Sequence, residues 1–254
     1  MHTHEAAVTR PDREGAVAAV HFTPAFGALE ANRAALVRLA REAAARAAVV
    51  VLPELATTGF ALTPDEAAAW AEPPTGPTCE ALGEVARATR TVIVVGLAAR
   101  SDGGLRNLQL VLDADGRLAG TYAKHHLWGA DHGWARPGPT PGAVVDTAHG
   151  RVGLLVCHDL VYPRTVRCAA RARPRLLASS SAWVSGGAEP FPSDWLLASA
   201  LLEGAPLVVA NRGGAEPGVR FDDPSAILVR GALVGRSAVG RGPEVIVAAC
   251  PRLT

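Results

Sequence analysis

Three side chains of complementary chemistry, Glu54, Lys124 and Cys157, each follow a predicted strand of the chain. A cysteine attacks a carbonyl carbon as a thiolate, so it needs a base nearby. The oxygen of the attacked carbonyl then needs a positive charge beside it. A carboxylate and an ammonium group can meet these two needs. The three residues therefore indicate nucleophilic catalysis at an acyl carbon, with Cys157 as the nucleophile.

Each of these residues also has an ordinary structural interpretation. A cysteine is more often a buried apolar side chain than a nucleophile. Glu54 could cap a helix or belong to an ion pair, and Lys124 could be a cation in a loop. Position alone leaves both interpretations open.

The elements around these residues predict an α/β protein. Short apolar runs predict strands at residues 15–22, 48–52, 92–97, 152–156, 175–179, 207–210, 225–229 and 244–248, with hairpins pairing 108–112 with 117–122 and 143–146 with 151–156. Helices are predicted at residues 30–47, 63–70, 78–89, 163–173 and 193–204. Ligand sites in such sheets form beyond the carboxyl ends of strands, which is where Glu54 and Cys157 lie. Lys124 opens a loop over residues 124–142 that is too long to be a simple connection.

Composition limits the classes of function. The chain has 254 residues and a net charge of +1, which gives no electrostatic footprint for nucleic acid. Residues 1–15 lack the apolar centre of a secretory signal, and no apolar run reaches the roughly 18 residues of a membrane span. We expect a flexible leader at residues 1–15 and a single domain at residues 16–254. Four scattered cysteines without a Cys-x-x-Cys pair indicate a reducing, cytoplasmic compartment, with neither disulfide nor zinc site.

Three segments, in this order, resemble motifs of the nitrilase superfamily of carbon-nitrogen hydrolases, and the resemblance extends over about residues 16–250. The segment around its general-base glutamate is similar to Pro53-Glu54-Leu55 followed by Thr58-Gly59-Phe60. Its lysine segment is similar to Tyr122-Ala123-Lys124-His125-His126-Leu127. Its nucleophile segment is similar to Cys157-His158-Asp159 followed by Tyr162-Pro163.

The resemblance implies a four-layer α-β-β-α sandwich that hydrolyses a non-peptide carbon-nitrogen bond through a cysteine thioester, without a cofactor or metal. Cys157 is then the nucleophile, Glu54 the base, and Lys124 with the backbone N–H of His158 the partners of the oxyanion. A Cys157–His158 dyad is the competing interpretation, although adjacent residues at a strand end usually point apart.

Asp131 and the residues after Cys157 indicate which branch of the superfamily the chain resembles. Many amidase-like members carry a second glutamate in the loop after the lysine, and Asp131 occupies that position here, with a role in positioning Lys124 or the substrate. Cys157-His158-Asp159 is more similar to the amidase and carbamoylase branches than to nitrilases proper, which carry Cys-Trp-Glu. We therefore expect a small amide or carbamoyl (ureido) substrate, with release of ammonia or an amine.

Aromatic side chains in or beside the long loops are candidate walls of the substrate pocket: Phe60, Trp128, Trp134 and Trp183, with Phe191 and Trp195 as further candidates. Trp195 could equally belong to the core at the start of its helix. Because relatives are commonly dimers, we expect a homodimer or higher homo-oligomer and no membrane or nucleic-acid partner. The alternatives are nitrile hydrolysis, soluble acyl transfer from the same thioester, and a catalytically silent binding protein.

Overall fold

Two six-stranded β-sheets pack face to face, and helices cover the outer face of each sheet. This architecture is seen in a computed structural model that describes residues 12–101, 103–184, 193–238 and 242–250. The helices are α1 (Leu29–Ala44), α2 (Pro64–Trp70), α3 (Pro77–Thr89), α4 (Asp131–Trp134), α5 (Pro163–Ala170) and α6 (Ser193–Ala200).

The strands of both sheets are named in chain order. They are β1 (Ala16–His21), β2 (Val49–Val51), β3 (Val92–Ser101), β4 (Gly104–Leu112), β5 (Leu118–Ala123), β6 (Ala143–Val145), β7 (Val152–Val156), β8 (Leu176–Ser181), β9 (Leu207–Asn211), β10 (Gly214–Glu216), β11 (Val219–Phe221), β12 (Ala226–Val229), β13 (Ala232–Arg236) and β14 (Glu244–Ala249). The first sheet has the order β14-β1-β2-β3-β4-β5 and the second the order β13-β12-β9-β8-β7-β6. Strands β10 and β11 form a separate two-stranded ribbon.

Alternate residues of the central strands fill different layers of the core. Along β1, Val17 and Ala19 face the second sheet, while Ala18 and Val20 pack against the helices on the outer face. This alternation follows from the two-residue period of a strand. Because both faces are covered, the central strands are continuous apolar runs, as is typical of parallel strands in α/β proteins.

The predicted four-layer arrangement is confirmed, since α1 and α3 pack on the first sheet and α5 and α6 on the second. The predicted capping box of α2 is also present, because Thr63 Oγ1 accepts from the Glu66 backbone and Glu66 Oε2 accepts from the Thr63 backbone. The sequence did not predict β10, β11 or β13. Strand β13 follows a tight turn in which Arg230 and Gly231 both have positive φ. The usual sequence signal for such a turn is Asn-Gly, and Arg-Gly stands there instead.

The ends of three helices differ from the prediction. Helix α1 ends at Ala44, α5 at Ala170 and α6 at Ala200, earlier than the predicted residues 47, 173 and 204. Directly after each end the chain forms turns instead of further helix. The loop predicted at residues 124–142 contains the one-turn helix α4.

Most of the predicted leader, residues 1–11, lies outside the described part of the chain. The described residues before β1 include a 3-10 turn, Arg13–Gly15, and Arg13 Nε donates to the carbonyl of Ala44 at 2.9 Å. No helix in the described ranges has both the length and the apolar character needed to cross a bilayer.

Parallel strands end together at one end of the sandwich. Strands β1, β2 and β3 are parallel to one another, as are β7, β8 and β9. The two sets meet where the Ser180 hydroxyl of β8 donates to the carbonyl of Leu52, just beyond β2, at 2.8 Å. Side chains that follow β2 and β8 are therefore brought into one region.

Candidate active site

Glu54, Lys124 and Cys157 lie together at this end of the sandwich. Lys124 Nζ donates to Glu54 Oε1 at 2.7 Å, and the charges of both groups act on the Cys157 thiol. Glu54 is fully buried, Lys124 is 1% exposed and Cys157 is 4% exposed. The three residues that the sequence indicated thus form one cluster, although 103 positions separate the first from the last.

Glu54 is positioned by a close approach to strand β3. A Cβ atom added at Gly96 would lie 2.6 Å from the Glu54 Cα, so only glycine leaves room for this backbone. The Gly96 N–H donates to the Pro53 carbonyl at 3.0 Å, and the Ala56 N–H donates to the Gly96 carbonyl at 2.9 Å. The chain after β2 is therefore attached to the neighbouring strand on both sides of Glu54.

Cys157 begins a 3-10 turn, Cys157–Val161, directly after β7. Its φ of +46° lies in the left-handed region, which costs a residue other than glycine about 1–3 kcal/mol. Such strain persists where the surrounding structure holds the backbone in place. Here Asp159 supplies part of that support, since its Oδ2 accepts from the Val156 N–H at 3.0 Å.

Asp159 also connects the nucleophile turn to the segment that carries the lysine. The Tyr122 hydroxyl donates to Asp159 Oδ2 at 2.8 Å, and the His126 N–H donates to Oδ1 at 2.9 Å. Because Tyr122 and His126 stand on either side of Lys124, this buried carboxylate fixes the lysine segment relative to Cys157. Asp159 lies in the nucleophile motif, but no positioning role was predicted for it from the sequence.

The Lys124 ammonium lies between two carboxylates. It donates to Glu54 Oε1 at 2.7 Å and to Asp131 Oδ2 at 2.6 Å, and all three side chains are buried. Burial by itself favours the neutral amine, but the charges of Asp131 and Glu54 raise the pKa of Lys124 well above its ordinary value. Lys124 is therefore a permanent cation at neutral pH.

Burial raises the pKa of both groups that would exchange a proton. For Glu54, loss of solvation exceeds the opposing effects of the Lys124 charge and the hydrogen bonds from Lys124 and Asn107. For Cys157, burial and the Glu54 charge together raise the pKa well above 9.0, despite the Lys124 charge and a hydrogen bond from the Ala182 backbone. The resting site thus holds a thiol beside a carboxylate that is more basic than an exposed glutamate.

The carboxylate oxygens of Glu54 have different surroundings. Oε1 accepts from Lys124 and, at 2.7 Å, from Asn107 Nδ2. Oε2 is buried and has no hydrogen-bond donor among the residues that the structure describes. This second oxygen is free to accept a proton. Asn107, on β4, was not identified from the sequence.

The ring of His158 packs against Tyr162. Its Nε2 lies 3.4 Å from the Tyr162 hydroxyl, and its ring meets the Tyr162 ring edge to face. The pKa of His158 is lowered, first by burial and then by the Lys124 charge. The charges that act on the Cys157 thiol are those of Glu54 and Lys124.

The predicted aromatic walls fall into two groups. Phe60 is buried, and its ring centroid lies 5.8 Å from Lys124 Nζ and 5.8 Å from the centroid of the Trp128 ring. Trp128 is 37% exposed. Trp134 packs in the apolar cluster beneath them. Trp183 meets Trp195 edge to face, and Trp195 is fully buried in the core, as its alternative interpretation had it. Phe191 lies outside the described residues.

A buried ion pair supports the segment that follows Glu54. Arg212, just beyond β9, pairs with Glu216 of β10, and its guanidinium lies 4.2 Å from the Phe221 ring centroid. Glu216 Oε2 accepts the backbone N–H groups of Phe60 and Ala61 at 2.9 and 2.8 Å. The ribbon therefore holds Phe60 beside Lys124. This ion pair was not predicted from the sequence.

Within the described ranges, no group of three or more histidine, cysteine, aspartate or glutamate side chains is arranged to hold a metal ion. The assembled cluster instead combines a thiol, a basic carboxylate and a fixed cation. These groups can carry out nucleophilic attack with proton transfer and charge stabilisation.

Comparison with known proteins bears on the type of chemistry. A family model described as carbon-nitrogen hydrolase matches residues 16–252. A nitrilase from Pyrococcus abyssi is 31% identical over 214 residues, which cover 83% of this chain and 80% of the relative. An (R)-stereoselective amidase from Pseudomonas sp is 32% identical over 123 residues, which cover 48% of this chain and 44% of the amidase.

The match to a hydrolase from Pseudomonas protegens likewise covers only 46% of that protein, at 31% identity over 51% of this chain. Among solved structures, an amidase from Nesterenkonia sp. superposes with a TM-score of 0.82 at 22% identity, covering 94% of this chain and 91% of the amidase. In one mutant of that amidase, the acetamide moiety of fluoroacetamide is covalently attached to the active-site cysteine.

Proposed function

Because the chain belongs to the carbon-nitrogen hydrolase family, we propose that it hydrolyses a small amide or carbamoyl compound through a thioester on Cys157. The observation that carries this proposal is the buried Lys124–Glu54 pair beside the thiol, with Glu54 Oε2 free to accept a proton. Cys157, Glu54 and Lys124 are the catalytic residues of the proposed reaction.

Attack begins with proton transfer from the thiol to Glu54. As Oε2 takes the proton, Cys157 Sγ forms a bond to the substrate carbonyl carbon, and the π electrons of the carbonyl move onto its oxygen. The Lys124 ammonium and the His158 backbone N–H stabilise that oxyanion. Removing one such donor typically costs about 2.7–4 kcal/mol, or 10²–10³-fold in kcat.

Collapse of the tetrahedral intermediate breaks the carbon-nitrogen bond. Glu54 gives its proton to the departing nitrogen, which leaves as ammonia or an amine, and the acyl group stays on sulfur as a thioester. Glu54 then takes a proton from water as the water oxygen attacks the thioester carbon. The acid is released, and the thiol regains its proton from Glu54.

Two observations favour an amide over a nitrile. Asp159 stands two residues after the nucleophile, where nitrilases proper carry glutamate, and its carboxylate is fully used in holding Tyr122 and the turn. A solved structure of similar fold is an amidase, and in one mutant of it the active-site cysteine carries the acetamide moiety of fluoroacetamide. The nitrilase of Pyrococcus abyssi makes nitriles the second class to test.

The test is a screen for ammonia release from small aliphatic amides, carbamoyl compounds and nitriles. We expect turnover with one of the first two classes, loss of turnover in Cys157→Ala, and normal turnover in Cys168→Ser, whose half-buried thiol lies on α5. Retained activity in purified Cys157→Ala would falsify the thioester route.

Fluoroacetamide provides a second readout. Peptide mass spectrometry should find its acetamide moiety on Cys157 and not on Cys168. Product analysis with and without an added amine separates hydrolysis from acyl transfer, because a transferase yields the amine adduct in place of the acid. A protein with no turnover and no selective reaction at Cys157 would be the silent binding protein.

A further inference from the structure

We propose that Asn107 is a positioning residue that makes Glu54, and not Asp131, the base of this site. The inference rests on the proposed function and adds a specific role for a residue that the reaction itself does not consume. It starts from an ambiguity in the site: two buried carboxylates flank one lysine, and either could in principle accept the thiol proton.

Four side chains form a closed ring of hydrogen bonds. Lys124 Nζ donates to Glu54 Oε1 at 2.7 Å and to Asp131 Oδ2 at 2.6 Å. Asn107 Nδ2 completes the ring by donating to Glu54 Oε1 at 2.7 Å and to Asp131 Oδ1 at 3.1 Å. Each carboxylate therefore contacts the same ammonium and the same amide.

The ring leaves the two carboxylates unequal. Both oxygens of Asp131 accept hydrogen bonds, Oδ1 from Asn107 and Oδ2 from Lys124 and the Trp128 N–H at 3.3 Å. Both donors to Glu54 instead converge on Oε1, and Oε2 has no donor among the described residues. A carboxylate with every oxygen satisfied holds its charge, whereas an oxygen without a donor is the one that accepts a proton.

Asn107 is placed to enforce this arrangement. It is almost fully buried on β4, and its own carbonyl accepts the Lys124 N–H at 2.9 Å, so it fixes the lysine backbone as well. Its Oδ1 is buried without a partner among the described residues. Because both neighbours are acceptors, the NH₂ group must face them, and turning the amide would set its oxygen against two carboxylates.

Loss of the amide would remove the distinction between the carboxylates. Asp131 Oδ1 would lose its donor, so Asp131 would also present a free oxygen. The charged groups that interact electrostatically with Glu54 are Lys124, Asp131 and Arg212, and the Cys157 thiol is the titratable group that Glu54 acts on. The hydrogen bond from Asn107 lowers the pKa of Glu54, so its removal shifts proton binding by Glu54 to higher pH.

The experiment measures how fast iodoacetamide alkylates Cys157 as a function of pH, with the site located by peptide mass spectrometry. In the unsubstituted protein the rate should fall as Glu54 becomes protonated at low pH. In Asn107→Ala this acid limb should move upward by roughly one pH unit, the order of effect of one hydrogen bond to a carboxylate. Asn107→Ser keeps one donor, and its limb should lie between the two.

Asn107→Asp is the isosteric variant and tests the direction in which the acid limb moves. A carboxyl at position 107 can donate to its neighbours only while it is protonated. Once ionised, that carboxyl donates nothing and adds a third negative charge beside Glu54, so the acid limb should move upward further than in Asn107→Ala. A limb that stayed at its position in the unsubstituted protein would contradict the role of the Asn107 amide.

Gln109→Ala is the matched control. Gln109 lies two residues along β4, is fully buried, and its amide lies 3.1 Å from Ser180 Oγ. Its loss should lower thermal stability without moving the acid limb. An acid limb that stays in place in Asn107→Ala and Asn107→Ser, or that moves as far in Gln109→Ala, overturns the inference.

Alkylation does not require turnover of an amide, so the two proposals can fail separately. Shifted limbs in a protein that hydrolyses none of the tested amides, carbamoyl compounds or nitriles would support the role of Asn107 and contradict the proposed function. Turnover of an amide with unshifted limbs would support the proposed function and contradict the role of Asn107. An unsubstituted protein without any acid limb would also contradict the role of Asn107.

Discussion

Gly96→Ala tests how closely the backbone of β3 positions the base. The added Cβ would lie 2.6 Å from the Glu54 Cα, 3.0 Å from the Pro53 carbonyl oxygen and 3.1 Å from the Ser180 Cβ. The first of these distances is about 0.8 Å short of the 3.4 Å at which ordinary contact begins. Because two of the three neighbours are backbone atoms, a side-chain rotation cannot relieve the overlap.

The expected result is a displaced base in a folded protein. A catalytic group must be held within about 0.5 Å of its productive position, and a displacement of about 1 Å can cost roughly 10²-fold in rate. We therefore expect kcat to fall by about 10–10²-fold with a smaller change in KM. Overpacking of this kind costs about 1–3 kcal/mol in the free energy of unfolding, or roughly 2–4 °C in Tm per kcal/mol for a chain of this size.

The assay combines steady-state kinetics on the amide found in the screen with thermal unfolding. Gly133→Ala is the matched control, because Gly133 lies in α4 beside Asp131, and a Cβ there meets no atom within 4 Å. The control should keep its turnover. If Gly96→Ala also kept wild-type kcat and Tm, the close packing of β3 against Glu54 could not be what positions the base.

Two further predictions concern the charged groups. Because the pKa of Glu54 is raised above 4.5 and its ionised form is the base, kcat/KM should fall as pH decreases through that raised value. The raised pKa of Lys124 should prevent any loss of activity from lysine deprotonation below about pH 10. Glu54→Gln should abolish turnover, and residual turnover that still falls at low pH in this variant would assign the acid limb to another group. Glu216→Ala should lower the free energy of unfolding, measured in urea, by about 3–5 kcal/mol, because Arg212 would become a buried charge without its partner. The double variant Arg212→Met/Glu216→Gln should lose less stability. Equal losses in the two variants would show that the effect does not come from the unpaired charge.

Glu54, Lys124 and Cys157 could be predicted because the sequence signals that mark them are local. A short apolar run that stops at a polar residue marks the end of a buried strand, and this pattern located Glu54 and Cys157. A hairpin that leads into a long loop located Lys124. The rule that sites form at the carboxyl ends of parallel strands then placed the ends of β2 and β7 together, as observed.

Residues that position the chemical groups were missed because their partners are distant in sequence. Asn107 contacts Glu54 across 53 residues, and Asp159 contacts Tyr122 across 37. One signal was present: Asn107 and Gln109 are amides at alternate positions of β4, among Leu108, Leu110, Val111 and Leu112, so they share a face. Two amides on the buried face of a strand indicate a polar network, although the strand alone does not show what they bind.

Asp131 shows how the backbone offsets a shorter side chain. Relatives of the amidase type were expected to carry glutamate at this position, and aspartate shortens the reach by one methylene. In the structure, the one-turn helix α4 begins at Asp131 and its N–H bonds the Trp128 carbonyl at 3.1 Å, which brings the carboxylate within 2.6 Å of Lys124 Nζ and 3.1 Å of Asn107. Both contacts of the ring are complete with the shorter side chain. A longer carboxylate at 131 could keep them only if α4 moved outward, so the length of this side chain and the position of the helix are set together.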